Sequence, residues 1–435
     1  MRKKGIIILI TIMILLVSTS FSSYERIPKQ HHSQKRELYA EGQVLLKFRP
    51  EVSEDFIKFV LFSYRTKKLN FFSENMIYQL QLSHDSVVEE TVLLMKQNPF
   101  IEIVEPNYYI YTSVVPNDTQ FPNQYALFNL GGTIPVPGAP QGKERADIKA
   151  PEGWSETLGD QDIIIAVIDT GIDLLHPDLQ NKIVSGGRDF INGDFDATDD
   201  NGHGTQVAGI AGAETNNRRG IAGVAWNCRI LPIKALDANG VGTTAELIQA
   251  IEFATNYDNG RGVDVINISA GGYGDSELLQ TALQNAYNKD IVIVAAAGDQ
   301  NGEVEFPAAY STCLAVASTD FKDKRSTFSN FGPEIDIAAP GEEIISTKPL
   351  TMTGPGELPY RFDSGTSLAA PHVTGLAALL KSIKPWLTAH EIMFIIQYTA
   401  DDINQDEFPG QDDFIGYGRI NLEKALVPTI VTVSK

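Results

Sequence analysis

The stretch Gly365-Thr366-Ser367-Leu368-Ala369-Ala370-Pro371-His372-Val373 decides how the rest of the sequence is interpreted. A turn of small residues precedes an alanine-rich apolar run, so the pattern predicts a helix that begins at Ser367, with Pro371 tolerated in its first turn. The first N–H groups of a helix have no partner inside it. A serine at this place is therefore an N-cap or a nucleophile, and this stretch alone favours the N-cap.

Two earlier motifs reverse that preference. Asp169-Thr170-Gly171 closes an apolar run that predicts a strand, and Asn201-Gly202-His203-Gly204-Thr205 opens a run that predicts a helix. A hydroxyl attacks at neutral pH only when a base takes its proton and a carboxylate orients that base. Asp169, His203 and Ser367 supply these groups, and each lies where open α/β sheets collect functional side chains.

Together the three motifs resemble the subtilisin family of serine proteases, in which the triad follows the chain order Asp, His, Ser. The resemblance runs from about Asp118 to Leu426 and is closest to the thermitase-like secreted subtilisins. It implies a serine endopeptidase that acts on proteins or peptides. His203 would be the general base, Asp169 would orient it, and Ser367 would form the acyl-enzyme.

The oxyanion site departs from the family pattern. The backbone N–H of Ser367 is one expected donor, and the resemblance implies an asparagine as the second, directly after Ala295-Ala296-Ala297-Gly298. Here that residue is Asp299. Three explanations stay open: a protonated Asp299 donates, the loop presents Asn301, or the enzyme is slow and cuts only its own propeptide. We favour the first, which predicts that turnover falls as the pH rises through neutrality.

The resemblance also implies two segments that flank an extended peptide substrate and a pocket for the side chain before the scissile bond. An acidic floor in that pocket, Glu305, would favour Lys or Arg by charge. Against this, no Lys or Arg lies between Lys96 and Lys143, where self-cleavage is expected. The expected substrate-binding residues are Gly240, Gly242, Ser269, Ala270, Gly271, Ala297, Gly298 and Glu305.

A structural calcium site is a further implication of the resemblance. Calcium prefers oxygen ligands from carboxylates, amides and backbone carbonyls. A second acidic cluster, between Asp189 and Thr198, is either a weaker calcium site or a solvated loop. The first site would use the side chains of Asp118, Asp178 and Asn217 and the carbonyls of Glu214, Arg219 and Ile221.

The N-terminal part predicts export. Residues 1–23 read as a signal peptide because three basic residues precede the apolar stretch from Gly5 to Val17. That stretch is shorter than the ~20 residues that span a bilayer, although an uncleaved anchor remains the alternative. Residues 24–36 predict a linker. Residues 37–112 predict a small α+β, ferredoxin-like domain, which in this family would be a propeptide that inhibits its own enzyme; an ordinary attached domain is the alternative.

Residues 113–435 predict the peptidase domain. Apolar strands alternate with amphipathic helices there, which favours a doubly wound, mostly parallel α/β sheet. Among the expected strands are Ile163 to Ile168 and Arg229 to Lys234, and among the expected helices are Thr244 to Asn256 and Ser367 to Ser382. We expect Cys228 and Cys313 to be buried, unpaired thiols.

The balance of charge limits the partners. A formal net charge of −20 argues against nucleic acid, because phosphate binding needs a basic face. The signal-like segment predicts a secreted or extracytoplasmic protein, the resemblance implies protein or peptide substrates, and we expect a monomer. The rival function is a subtilisin-fold protein that binds peptides without turnover, and Asp299 is the residue that keeps this rival open.

Overall fold

The computed structural model describes residues 39–84, 86–108, 114–133 and 141–427. The predicted signal peptide and linker lie outside the described residues, as does most of the connection between the two predicted domains. Within the described ranges, no helix is both long and apolar enough to cross a membrane.

A small α+β domain comes first in the described chain. Its strands form an antiparallel sheet in the order β2-β3-β1-β4, and two helices cover one face around a core that includes Val44, Leu80 and Met95. This is the expected ferredoxin-like arrangement. The elements are β1 (Tyr39–Phe48), α1 (Glu54–Ser63), β2 (Lys67–Phe72), β3 (Ile77–Gln81), α2 (Val88–Lys96) and β4 (Ile101–Tyr108).

Seven parallel strands form the central sheet of the second domain, in the order β11-β10-β9-β8-β5-β7-β6. The predicted α/β fold is therefore confirmed. The strands are β5 (Ile164–Asp169), β6 (Arg188–Asp189), β7 (Arg229–Lys234), β8 (Val265–Ile268), β9 (Val292–Ala296), β10 (Leu314–Thr319) and β11 (Ile337–Pro340).

Helices cover both faces of this sheet. Successive side chains of β5 show why two cores form, since Ile165 and Val167 enter one cluster and Ile164 and Ile168 the other. The helices are α3 (Ala150–Gly153), α4 (His203–Gly212), α5 (Thr244–Gly260), α6 (Glu277–Tyr287), α7 (Thr366–Ile383), α8 (Ala389–Tyr398) and α9 (Leu422–Leu426).

A hairpin of β12 (Ile344–Thr347) and β13 (Tyr360–Asp363) lies outside the main sheet and was not expected from the sequence. It packs on the first turn of α4, where the hydroxyl of Ser346 donates to the carbonyl of Gln206 at 2.6 Å and that of Thr347 to the carbonyl of Thr205 at 2.6 Å. Cys228 and Cys313 are buried and free, as predicted.

Strand order places the active site. The chain runs from β5 to β7 on one side and returns through β8 on the other, so β5 lies at the point where the winding reverses. Ligand sites of open α/β sheets form at the carboxyl ends of the strands at such a point. Asp169 is the last residue of β5.

Candidate active site

Asp169 and His203 form a hydrogen-bonded pair at the carboxyl end of β5. Asp169 is fully buried, and its Oδ1 accepts from His203 Nδ1 at 2.7 Å and from the backbone N–H of Thr170 at 2.7 Å. His203 is the first residue of α4 and its side chain stays 29% exposed. With Nδ1 donating to Asp169, Nε2 is left as the proton acceptor.

The electrostatic environment favours a charged imidazole at His203. Burial lowers its pKa, but the charge and hydrogen bond of Asp169 raise it by more, and the charge of Asp199 raises it further. Arg361 on β13 acts in the opposite direction. The net result is a pKa above the ordinary value for histidine, as a base needs if it is to hold the proton of an attacking hydroxyl.

Ser367 lies in the first turn of α7. This helix packs closely against α4, because a Cβ on Gly375 would lie only 3.1 Å from the carbonyl oxygen of Ala211. Pro371 falls in the second turn rather than the first, so it offers no N–H to the carbonyl of Ser367 four residues earlier. The hydroxyl of Ser269 donates to that carbonyl instead, at 2.8 Å. Ser367 Oγ forms no hydrogen bond to His203 among the described residues, a contact that often tightens only when substrate binds.

Asp299 lies beside the candidate nucleophile. Its Oδ1 accepts from the backbone N–H of Thr366 at 2.8 Å. Its Oδ2 and Ser367 Oγ each lie 2.9 Å from the point where a Cβ on Gly365 would stand. The carboxylate therefore lies in the space beside Ser367 Oγ.

Asn301 does not reach that space. Its Oδ1 accepts from Arg325 Nη2 at 2.9 Å, and its backbone N–H donates to the carbonyl of Phe328 at 2.7 Å. Asn330 holds the same loop by donating to the carbonyls of Ala297 and Glu303. Presenting Asn301 to the nucleophile would break these contacts, so Asp299 is the side chain that stands at the position of the expected second donor.

Glu305 lies between the two glycine-bearing segments on either side of the nucleophile. A Cβ on Gly271 would approach Glu305 Oε2 to 2.6 Å, and a Cβ on Gly298 would approach its Oε1 to 3.0 Å. Burial raises the pKa of Glu305, and the charge of Asp299 adds to the rise, while the Tyr273 hydroxyl that donates to it lowers it. A nearby cleft of about 160 Å³ is lined by Gly242, Ala270, Gly271, Leu279 and Phe306, among others, and its lining does not include Ala297, Gly298 or Glu305.

The residues expected to bind calcium converge on one loop. Asp118 Oδ2 accepts from the backbone N–H of Asn216 at 2.7 Å, and Asp178 Oδ1 accepts from Asn217 Nδ2 at 3.0 Å. That same amide nitrogen donates to the carbonyl of Glu214 at 3.1 Å. Among the described residues, no group of three or more His, Cys, Asp or Glu side chains could hold a metal, so any cation here would depend on amide and carbonyl oxygens as well.

Carboxylates of the second acidic cluster accept hydrogen bonds from backbone and side-chain donors of the same loop. Asp189 Oδ1 accepts from the N–H groups of Ile191 and Asn192 at 2.7 and 2.9 Å, and Asp196 Oδ1 accepts from the hydroxyl of Thr198 at 2.5 Å. These bonds are those of a self-contained polar loop.

Sequence reasoning missed Asp199 and Arg361. Asp199 stands four residues before His203, and this short distance in sequence is the local signal that could have indicated a role near the histidine. Arg361 lies on the unexpected hairpin and donates through Nε and Nη2 to Gln206 Oε1 at 3.2 and 3.0 Å. No local pattern links it to α4.

Comparison with known proteins settles the family. The sequence pattern described as the Subtilase family matches residues 160–418, which contain all three candidate catalytic residues. The chain is a member of the subtilase family. It is a subtilisin-like serine protease by this membership, as the sequence predicted.

Several relatives of this subtilase are similar over most of its length. A thermophilic serine proteinase of Bacillus sp. (strain AK1) is 41% identical over 341 residues, covering 78% of this chain and 76% of the relative. Thermitase of Thermoactinomyces vulgaris is 42% identical over 280 residues, covering 64% of this chain and 93% of thermitase. A solved protease structure from Pseudoalteromonas arctica PAMC 21717 matches with a TM-score of 0.61 at 30% identity, covering 72% of this chain and 99% of that one.

Proposed function

We propose that this subtilase is exported as a precursor and cleaves peptide bonds through an acyl-enzyme on Ser367. The observation that carries the proposal is the hydrogen bond between His203 and the buried Asp169 at the end of β5. His203 Nε2 takes the proton of Ser367 as the hydroxyl attacks the carbonyl carbon, then returns it to the leaving amine. Water repeats the sequence on the acyl-enzyme and releases the second product.

A serine-reactive fluorophosphonate probe tests this covalent step. It should label the wild type and fail to label Ser367→Ala. Ser364→Ala is the matched control, because Ser364 is an exposed serine three residues away whose Oγ accepts from Glu343 N–H. A folded wild-type protein that the probe does not label would instead support the rival function, peptide binding without turnover.

The precursor proposal rests on the N-terminal sequence and on the small domain. The residues from 1 to 23 would direct export, and the domain described over 39–108 would be a propeptide that inhibits the enzyme until it is cut. We place cleavage between Tyr109 and Pro116, in the connection between the domains. The enzyme would act outside the cytoplasm as a monomer.

Substrate would lie between the segments at Gly240–Gly242 and Ser269–Gly271 by adding its backbone to exposed strand edges. Ala297 and Gly298 would form the wall, and Glu305 the floor, of a pocket for the side chain before the scissile bond. Among the described residues, Glu305 has no Lys or Arg partner, so an incoming cationic side chain would supply the missing charge. Cleavage within the precursor needs no such match, because an attached segment is presented at a very high effective concentration.

Glu305 should therefore set the preference for the residue before the scissile bond. We expect Glu305→Gln to lower kcat/KM for a Lys or Arg substrate by about 10- to 100-fold relative to a Leu or Phe substrate, the range for a hydrogen bond to a charged group. Paired peptides that differ at this one residue measure it. Glu303→Gln is the control, because Glu303 is exposed. A wild type that prefers Leu or Phe would remove Glu305 from specificity.

A calcium ion would complete the loop at Asp118 and Asp178. Both carboxylates are almost fully buried, and among the described residues neither forms an ion pair with Lys or Arg. Burial raises the pKa of Asp118 to about 6 and raises the pKa of Asp178 as well, as expected of carboxylates without a counter-charge. The donor set therefore fits a hard cation, which Asn217 would join by turning its amide oxygen inward and the carbonyls of Glu214, Arg219 and Ile221 would complete.

Removing calcium should then lower the melting temperature. An ion present at a hundred times its Kd adds about 2.7 kcal/mol to stability, which corresponds to a shift of about 3–4 °C in a protein of this size. Thermal unfolding with calcium and with a chelator measures the shift. Asp118→Asn should abolish the calcium-dependent part, whereas Asp196→Asn, in the second acidic cluster, should keep it. Equal melting temperatures in both conditions would contradict the site.

A further inference from the structure

Asp199 is a buried carboxylate outside the triad with an unusually complete set of donors. It is 3% exposed. Its Oδ1 accepts from Thr170 Oγ1 at 2.8 Å, from Gly202 N–H at 2.8 Å and from Asn201 N–H at 3.0 Å. Its Oδ2 accepts from Thr205 N–H at 3.0 Å and from Thr205 Oγ1 at 2.5 Å. Its hydrogen-bonding capacity is filled without any cation.

These donors come from both sides of the catalytic pair. Thr170 directly follows Asp169 at the end of β5, whereas Gly202 and Thr205 flank His203 at the start of α4. Thr170 Oγ1 in turn accepts from Gly204 N–H at 2.9 Å. A Cβ on Gly204 would lie 2.1 Å from the carbonyl oxygen of Gly171, so strand end and helix start touch directly beneath the imidazole. Asp199 therefore ties together the two backbone segments that carry Asp169 and His203.

Asp199 also contributes charge. Charged groups on the surrounding elements act on the imidazole: Asp169 on β5, Asp199 in the loop before α4, and Arg361 on β13. The two carboxylates favour the imidazolium form, and the guanidinium opposes it. Among the described residues, Asp169 is the one hydrogen-bond partner of the ring, and its own Oδ2 has no hydrogen-bond partner there. The negative charge of Asp199 therefore adds to that of Asp169 in stabilising the imidazolium form of His203.

We propose that Asp199 is a positioning residue of the catalytic machinery, which locks the strand end bearing Asp169 to the helix start bearing His203 and supplies a second negative charge to the imidazolium. The inference rests on the proposed triad. It assigns to Asp199 no contact with substrate. Its effect passes through the geometry and the protonation of His203.

The neighbouring residue provides a matched control. Asp200 is half exposed and accepts from the buried Lys234 Nζ at 2.5 Å. Lys234 also donates to the carbonyls of Thr170 and Leu236, at 2.7 and 3.1 Å, so it retains two acceptors when Asp200 is changed. Asp200→Asn therefore removes a carboxylate of the same loop and leaves the tie between Asp169 and His203 in place.

The test is the pH profile of kcat/KM for the processed enzyme on a peptide substrate. Loss of a negative charge near His203 destabilises its protonated form, so the base stays neutral to lower pH. We expect Asp199→Asn to move the acid limb down by about one pH unit and to lower kcat at least tenfold. Asp200→Asn should change neither. An Asp199→Asn enzyme with an unmoved acid limb would overturn the proposal even if its kcat or melting temperature fell.

A second pair of variants covers the case in which Asp199→Asn does not fold. Thr205→Val keeps the shape and the backbone N–H but removes the hydroxyl that donates to Asp199 and accepts from Asp173 N–H; Thr205→Ser keeps both bonds. We expect Thr205→Val to lower kcat with little change in KM, and Thr205→Ser to restore kcat. Wild-type kcat in Thr205→Val would overturn the positioning role. Failure of the triad itself is distinguished by Ser367→Ala, since turnover that survives that change refutes the proposed reaction, not only the role of Asp199.

Discussion

Replacing Ser367 with alanine is expected to reduce peptide hydrolysis by about 10⁶-fold, a magnitude that comes from subtilisin itself rather than from this chain. The variant retains His203, Asp169 and the substrate cleft, but it has no atom that can form the acyl bond. Residual hydrolysis would come from oxyanion stabilisation and binding alone. Steady-state kinetics on a chromogenic peptide measures the loss.

The same variant reports on the precursor. Wild-type protein should lose its N-terminal part up to a residue between 109 and 116, and Ser367→Ala should retain residues 37–112. N-terminal sequencing of both purified proteins, with Ser364→Ala as control, reads this directly. If Ser367→Ala were still processed when expressed alone, the cleavage would be due to another protease, and self-processing would be wrong.

Replacing Asp299 with asparagine is expected to raise kcat by about 10²-fold at neutral and alkaline pH, the size of one oxyanion donor as measured in subtilisin. An ionised carboxylate accepts hydrogen bonds, donates none and repels the developing oxyanion. Asparagine has nearly the same shape and offers an N–H donor. Its Oδ1 can still accept from Thr366 N–H, the bond that holds Asp299 in place at 2.8 Å.

The pH profile distinguishes the ways in which Asp299 could act. If a protonated Asp299 donates, wild-type kcat falls as the pH rises through neutrality, and Asp299→Asn removes that fall. Asp299→Ala is the control, because it removes both the charge and the donor and should be slower than wild type at acidic pH. A wild type with a flat profile and full activity at pH 9 would exclude the protonated donor.

The positions of the candidate triad could be predicted because each depends on local chemistry. The apolar run before Asp169 predicts a buried strand, and β5 ends at that residue. The small residues around His203 predict a helix start, and α4 begins there. Short-range patterns of this kind predict whether a segment is a strand or a helix and at which residue it begins or ends.

Other features depend on contacts between distant segments, which no local pattern contains. The strand Lys67–Phe72 was missed because it is an edge strand of exposed residues with two lysines and no alternation. Asp199 was missed because its proposed role depends on Thr170, after β5, and Thr205, in α4, donating to the same carboxylate. By contrast, the helix break at Tyr257–Asn259, where Asp258 has φ of 51°, directly follows Asn256, the residue at which the sequence predicts that this helix ends.

Adjacent residues of β13 hold the proposed metal loop and the catalytic helix. The hydroxyl of Tyr360 donates to Asp178 Oδ2 at 2.9 Å, and the next residue, Arg361, grips Gln206 one turn after His203. Displacement of the loop would therefore be transmitted along one peptide unit to the base. If calcium fills the proposed site, its loss would disturb the position of His203 as well as lower the melting temperature.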